Sequence, residues 1–203
     1  MSQAPLLIAI GGLPGAGRRS GVGPWRACPP GADKHSTVAR RLSEHRGIPL
    51  LASDFFGSTL RRSLVDQVPS ADAYRAGYDL LFELAGEFLD RGGSVIVDTT
   101  LGWAFQWERL DAIHRNRPNV RFVPVLLRCP REVCVERIDR RHEASGGRHA
   151  RAAQLLAERP QVWNFVENLQ RSDLHVVDAA GEADQVFQQV LDQLDQALKG
   201  DAG

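Results

Sequence analysis

A chain of 203 residues with 25 Lys+Arg against 25 Asp+Glu has no formal net charge, and 43% hydrophobic content is enough for one core, so a single domain over residues 1–203 is expected. Zero net charge excludes duplex wrapping by bulk electrostatics, which needs a basic surface to displace counterions. The only lysines are Lys34 and Lys199, so a site that demands a lysine is easy to locate.

Met1 to Pro5 lacks the basic start of a signal peptide, and Leu6 to Ile10 is too short to span a membrane; it reads as a buried strand. Gly11 to Gly17 follows as a glycine-rich turn, and residues 18–35, rich in Gly, Pro and Arg, show no apolar period and read as loop. A helix opens with Ser36 as N-cap and stops at Gly47. Ile48 to Ala52 is a second strand, ended by Ser53-Asp54. Ala71 to Leu89 has apolar residues at helical spacing up to Gly92-Gly93. Ser94 to Val97 is a third strand, Trp107 to His114 a helix, Phe122 to Leu127 a fourth strand, and Arg131 to His142 a helix. Helix resumes over Ala150 to Glu158 and again at Pro160, before a fifth strand at Leu174 to Val177 and an amphipathic helix from Ala183 to Leu198. Strands alternating with helices indicate βαβ units, an α/β protein with a parallel sheet covered on both faces. Three cysteines, Cys28, Cys129 and Cys134, are too few and too irregular for a disulfide framework or a four-ligand zinc site, and read as reduced thiols of a cytoplasmic protein.

Parallel sheets bind ligands beyond the carboxyl ends of their strands, which brings the first glycine-rich loop forward. Gly12-Leu13-Pro14-Gly15-Ala16-Gly17 supplies six positions of the phosphate-binding pattern G-x-x-x-x-G-K-[ST], in which backbone amides curl around a phosphate. The lysine of that pattern reaches the outer phosphates and its hydroxyl holds magnesium. Arg18 and Arg19 stand there instead. The missing half, Lys34-His35-Ser36-Thr37, opens the next helix, with its hydroxyl at position 36 rather than 19, or 17 residues late. If residues 18–35 bulge outward, Lys34 or His35 stays near the phosphates. If not, Arg18 is a poor substitute, its guanidinium being wide and planar where a compact ammonium is needed.

With this half-motif, Asp54 after the second strand, Asp98 after the third and an arginine-rich segment after the fourth, the chain resembles the small P-loop kinases of the zeta-toxin, chloramphenicol-phosphotransferase and gluconate-kinase type, often labelled AAA-domain proteins. The resemblance implies a three-layer P-loop NTPase fold, with a five-stranded, mostly parallel sheet and a helical lid over about 137–165. It also implies ATP and magnesium as cofactors, bound by Gly12, Leu13, Pro14, Gly15, Ala16, Gly17, Lys34, Ser36 and Thr37, with Ser36 and Asp98 holding the metal.

In such kinases an aspartate beyond the second strand orients or deprotonates the acceptor hydroxyl, which is the place of Asp54; a helix N-cap is the other reading. Arg61 and Arg62 fall where the family orients its substrate, or on an exposed helical face. Asp98 is either a magnesium ligand or a turn residue of Asp98-Thr99-Thr100. Arg137 and Arg141, four apart, suit a lid that stabilises charge on the transferred phosphoryl group, and Gly146-Gly147 allows it to hinge; a solvated face is the alternative for this cluster, which includes Arg140, Arg148 and Arg151. Trp103, Phe105 and Trp107 flank the third strand's end, where they stack on an acceptor or pack in the core.

The expected activity is ATP-dependent phosphoryl transfer to a hydroxyl of a small molecule, with neither membrane nor nucleic acid as partner. The competing expectation is a catalytically impaired homologue, a binding or regulatory module, or an aberrant product carrying the insertion.

Overall fold

The computed structural model describes residues 4–13, 16, 38–64, 67–147 and 150–200. Among these residues thirteen elements follow in order: β1 (Leu6–Gly12), α1 (Val38–Arg46), β2 (Leu50–Ala52), α2 (Ser53–Ser63), α3 (Ser70–Asp90), β3 (Val95–Asp98), α4 (Ala104–Arg115), β4 (Arg121–Arg128), α5 (Arg131–Ala144), α6 (Ala152–Glu158), α7 (Pro160–Asn168), β5 (His175–Asp178) and α8 (Ala183–Gly200). The five strands pair in the order β2-β3-β1-β4-β5, and every pairing is parallel.

β1 is buried along its whole length because it lies mid-sheet between two helical layers, and its side chains alternate between them. Leu6, Ile8 and Ile10 join Val38 and Leu42 of α1, Ile138 of α5 and Val190 of α8 on one face. Leu7 and Ala9 join Leu81, Phe82 and Ala85 of α3 with Trp107 and Leu110 of α4 on the other. Pro124 is accommodated in β4 because β5 begins opposite Val125, which leaves one flank of β4 without a ladder partner at the proline.

Among the described residues three helix ends rest on glycines in the left-handed region: Gly47 (φ 64°) after α1, Gly92 (φ 76°) after α3, and Gly146 (φ 63°) with Gly147 (φ 81°) after α5. α2 and α3 touch through glycine, since a Cβ added to Gly77 would lie 2.7 Å from the Gly57 nitrogen. The expected elements all occur among the described residues, with shifted ends. β3 runs one residue further and takes in Asp98, and α2 starts directly from β2. α7, placed within the expected lid region, buries Val162, Trp163 and Val166 in the body of the protein.

Candidate functional site

β1 sits at the centre of the sheet, with β3 on one side and β4 on the other. This is the switch in strand order beside which parallel sheets open a crevice at their carboxyl ends. Register brings three expected site residues to that end. Ala52 pairs with Asp98, and Asp98 with Ile10, so Asp54, Asp98 and Gly12 leave three adjacent strands at nearly the same height.

Gly12 closes β1, its N–H donating to the Thr100 carbonyl at 3.2 Å. A Cβ there would lie 2.6 Å from the Leu127 carbonyl oxygen, so the chain passes at a distance only glycine allows. Leu13 and Ala16 turn their side chains into the core, and the Ala16 N–H donates to the Leu13 carbonyl at 3.0 Å. That amide closes a turn instead of pointing toward an anion. Pro14, Gly15, Gly17, Lys34, Ser36, Thr37, the 18–35 insertion and Arg148 lie outside the described residues.

Asp98 is 5% exposed, the last residue of β3. Asp54 is half-buried in the first turn of α2, and the cap position falls on Ala52, so the N-cap reading of Asp54 gives way to a place inside the helix. Arg141 of α5 is half-buried as well. Burial pulls its guanidinium below the usual arginine range, and the charge of Asp54 pulls it back up, so α5 presents a cation to the carboxylate of α2.

Arg137 points elsewhere. Its Nη1 donates to the Ala179 carbonyl at 2.6 Å, and its Nη2 to those of Ala180 and Gly181 at 2.8 and 3.1 Å. The side chain expected over a phosphate thus ties α5 to the turn after β5. Arg140 pairs with Glu136 on the surface, and Arg151 donates from Nε to His142. Arg61 is exposed with its guanidinium 5.9 Å from the Tyr74 ring, while Arg62 is exposed and reaches Thr59 Oγ1 at 3.4 Å. Trp103 is half-buried at the N-cap of α4. Trp107 is core, its Nε1–H donating to the Leu101 carbonyl at 3.0 Å. Burial pushes the Cys129 thiol up and Cys134 up to about 12, which leaves both protonated and unreactive at neutral pH. Among the described residues no group of three or more His, Cys, Asp or Glu could hold a metal, and no helix is long and apolar enough to cross a membrane.

Two polar arrangements near the site were not expected from the sequence. Gln106, fully buried, donates to Thr99 Oγ1 at 2.7 Å just beyond Asp98; its signal was a polar residue on the stripe of Leu110 and Ile113. Arg171 joins both oxygens of Asp111 to Asp173 and lies 4.5 Å over the Trp107 ring, with Asp173 and then Asp111 raising its pKa.

A wholly parallel five-stranded sheet, with a glycine turn on its central strand, one carboxylate at the end of the adjacent β3 and another just after β2, has the P-loop kinase-like fold. The AAA domain family matches residues 29–162, more than half of the chain, and the protein belongs to that family. No curated protein matches it. A putative kinase from Chloroflexus aurantiacus is similar in structure at 20% identity and TM-score 0.61, over 96% of this chain and 98% of that one. A gluconokinase from Sinorhizobium meliloti is similar at 18% identity and TM-score 0.60, over 98% and 96%. The Mycobacterium tuberculosis APS kinase CysC, in complex with AMPPNP and APS, is similar at 19% identity and TM-score 0.52, over 94% and 98%. The family match takes in Lys34 and leaves out Gly12 to Gly17. Its start exposes a short repeat: Pro30-Gly31-Ala32-Asp33-Lys34-His35-Ser36 echoes Pro14-Gly15-Ala16-Gly17-Arg18-Arg19-Ser20.

Proposed function

We propose that the protein transfers the γ-phosphoryl group of ATP to a hydroxyl of a small molecule. The observation that carries this reading is the register of Ala52, Asp98 and Ile10, which sets two carboxylates and a glycine turn at one end of the sheet. The structural neighbours support it, since they include a gluconokinase, a sugar kinase and an APS kinase holding a nucleotide analogue.

The residues fit the expected ligands. Asp98 on β3 offers a hard oxygen donor that suits magnesium, to which Ser36 would add its hydroxyl, and the close passage of Gly12 keeps side chains away from a polyphosphate. Bound there, magnesium-ATP supplies the transferable group and neutralises its charge. Lys34 would contact the outer phosphates. Asp54 takes the proton of the acceptor hydroxyl on a carboxylate oxygen. Arg141 supplies the lid cation, whereas the Nη1 and Nη2 atoms of Arg137 hold the turn after β5 and position α5. Arg61, Arg62 and Trp103 orient the acceptor.

One observation favours the impaired homologue: Arg18 and Arg19 stand where the loop on β1 calls for a lysine and a hydroxyl. Calorimetry with magnesium-ATP separates the readings, using this chain and a variant in which one lysine replaces residues 18–35. Binding by the native chain, with ADP release on a panel of hydroxyl acceptors, is the expected result. Binding by neither protein rejects nucleotide binding, and binding by the shortened variant alone makes the native chain the impaired form.

A further inference from the structure

We propose that Gln106 is a positioning residue whose buried carboxamide, with the indole of Trp107, holds the segment after β3 in the shape that sets Asp98 and Gly12 beside each other. The meaning of this clamp for catalysis rests on the reading of that end of the sheet as the nucleotide site.

A carboxamide shut away from water needs partners for two N–H donors and a carbonyl. The Gln106 amide nitrogen donates to Thr99 Oγ1 at 2.7 Å and Thr100 Oγ1 at 3.2 Å, and the Thr100 hydroxyl also lies 3.2 Å from Oε1 as a donor. The next residue, Trp107, donates its indole N–H to Leu101. One turn of α4 therefore grips three consecutive residues, 99 to 101.

Those residues in turn grip β1. The Thr99 N–H donates to the Ile10 carbonyl at 3.0 Å, and the Thr100 carbonyl accepts from Gly12 at 3.2 Å. Leu101, fully buried, is the one non-glycine residue with positive φ (52°) among the described residues, a conformation that crowds its own Cβ. Its side chain packs on Gly11 so closely that a Cβ there would lie 2.4 Å from Leu101 Cγ. A left-handed leucine persists only where its surroundings dictate it, and here they consist of the Trp107 bond on one side and the bare Gly11 backbone on the other. The chain of contacts thus runs from α4 through Thr99, Thr100 and Leu101 to the first glycines of the phosphate loop, alongside Asp98. A residue that only filled space at position 106 would need none of these bonds.

The test is native-state amide exchange in the full chain, read at Gly12 and Thr99 together with calorimetric affinity for magnesium-ATP. Gln106→Met keeps the volume and removes the polar atoms. Ile113→Val, on the same stripe of α4, controls for general destabilisation, and Trp107→Phe, which removes the bond to Leu101 along with part of the buried ring under Arg171, is the second variant should the first fail to fold. Gln106→Met is expected to exchange Gly12 and Thr99 about tenfold faster than the control and to weaken ATP binding about tenfold, the effect of one hydrogen bond's worth of local stability. Trp107→Phe is expected to act in the same direction. Exchange at Gly12 and Thr99 that merely follows the control overturns the clamp. If exchange accelerates while the native chain binds no ATP, the clamp stands and the nucleotide reading falls; if the native chain binds ATP and the variants match the control, the reverse holds.

Discussion

Arg137 holds the Ala179 carbonyl, Nη1 to oxygen 2.6 Å, across 42 residues of sequence. With the bonds to Ala180 and Gly181, this places a charged donor on three successive carbonyls. Hydrogen bonds to charged groups each contribute about 1.5–3 kcal/mol, less than additively when shared by one side chain, so Arg137→Met should cost about 2–4 kcal/mol. Arg140→Met loses an exposed pair with Glu136 four residues away and should cost no more than about 0.5 kcal/mol. Denaturant midpoints for the two variants check the contrast. Equal midpoints would return Arg137 to the solvated face.

Arg141 and Asp54 should behave as a unit. If Asp54 is the base proposed above, Asp54→Asn should lower kcat by about 10²–10⁴, the usual worth of a general base. Burial already disfavours the Arg141 cation, and the Asp54 charge is what counters it. Removing that charge should therefore release a coupling of about 0.5–3 kcal/mol in a double-mutant cycle with Arg141→Gln. The cycle is read on the unfolding midpoint of the protein without nucleotide. Additive effects would separate the two residues.

Gly77 sits where α3 touches α2, and a Cβ at that point would also come within 2.8 Å of the Gly57 Cα. Backbone does not yield as a flexible side chain does. Gly77→Ala should cost about 1–3 kcal/mol through overpacking, even though alanine favours helix by about 1 kcal/mol. Gly86 lies in the same helix but faces the end of the Arg117 side chain, with Nη2 at 3.0 Å, and although Asp90 holds that guanidinium, a side-chain end can give by the few tenths of an ångström required where backbone cannot. Gly86→Ala should therefore be neutral or stabilising, and thermal melts of the pair decide the point.

Asp173 bonds to Arg171, and that bond, ahead of the opposing effect of burial, holds its carboxyl below the ordinary range. A carboxylate with a lowered folded-state pKa contributes stability that is complete above the unfolded value near about 3.9 and disappears as pH falls through the folded one. Asp173→Asn should therefore lower stability at neutral pH and flatten the loss of stability below about pH 4. The side chain is 42% exposed, so the effect is small and shrinks further in salt. Acid titrations of stability at low and high salt test both statements.

The strands were legible because each is a short apolar run with an abrupt end, cut off by glycine or aspartate in Leu6 to Gly12 and Val95 to Asp98. The order of the carboxylates was legible too, since parallel strands all deliver their following residues to one end of the sheet. Three features were not. Gln106 falls before the helix expected from Trp107, and only the earlier start of α4 at Ala104 puts it on the buried stripe of Leu110 and Ile113. The carbonyls that occupy Arg137 belong to a turn beyond β5, and no local pattern connects the two. Leu101 carries no mark of its left-handed backbone, because that conformation is imposed by Gly11 and Trp107.

The paired stretches Pro14 to Ser20 and Pro30 to Ser36 set up the sharpest prediction. Position favours the first, because Gly12 ends the central strand and Leu13 and Ala16 are built into the core. Chemistry favours the second, because Lys34 has the compact ammonium that phosphate demands and Ser36-Thr37 lead directly to α1 at Val38. If the glycines of the first stretch and the lysine of the second combine in one site, as proposed, then Lys34→Met should abolish most magnesium-ATP binding while Arg18→Met leaves it within about twofold, since one charged phosphate contact accounts for about tenfold or more in affinity. Gly12→Ala should weaken binding as well, because its methyl group would meet the Leu127 carbonyl and displace the turn. Calorimetric titration of the three variants, each checked for a native unfolding midpoint, decides among the arrangements. Loss on Arg18→Met with retention on Lys34→Met would assign the phosphates to the first stretch alone. Retention on Gly12→Ala with loss on Lys34→Met would assign them to the second.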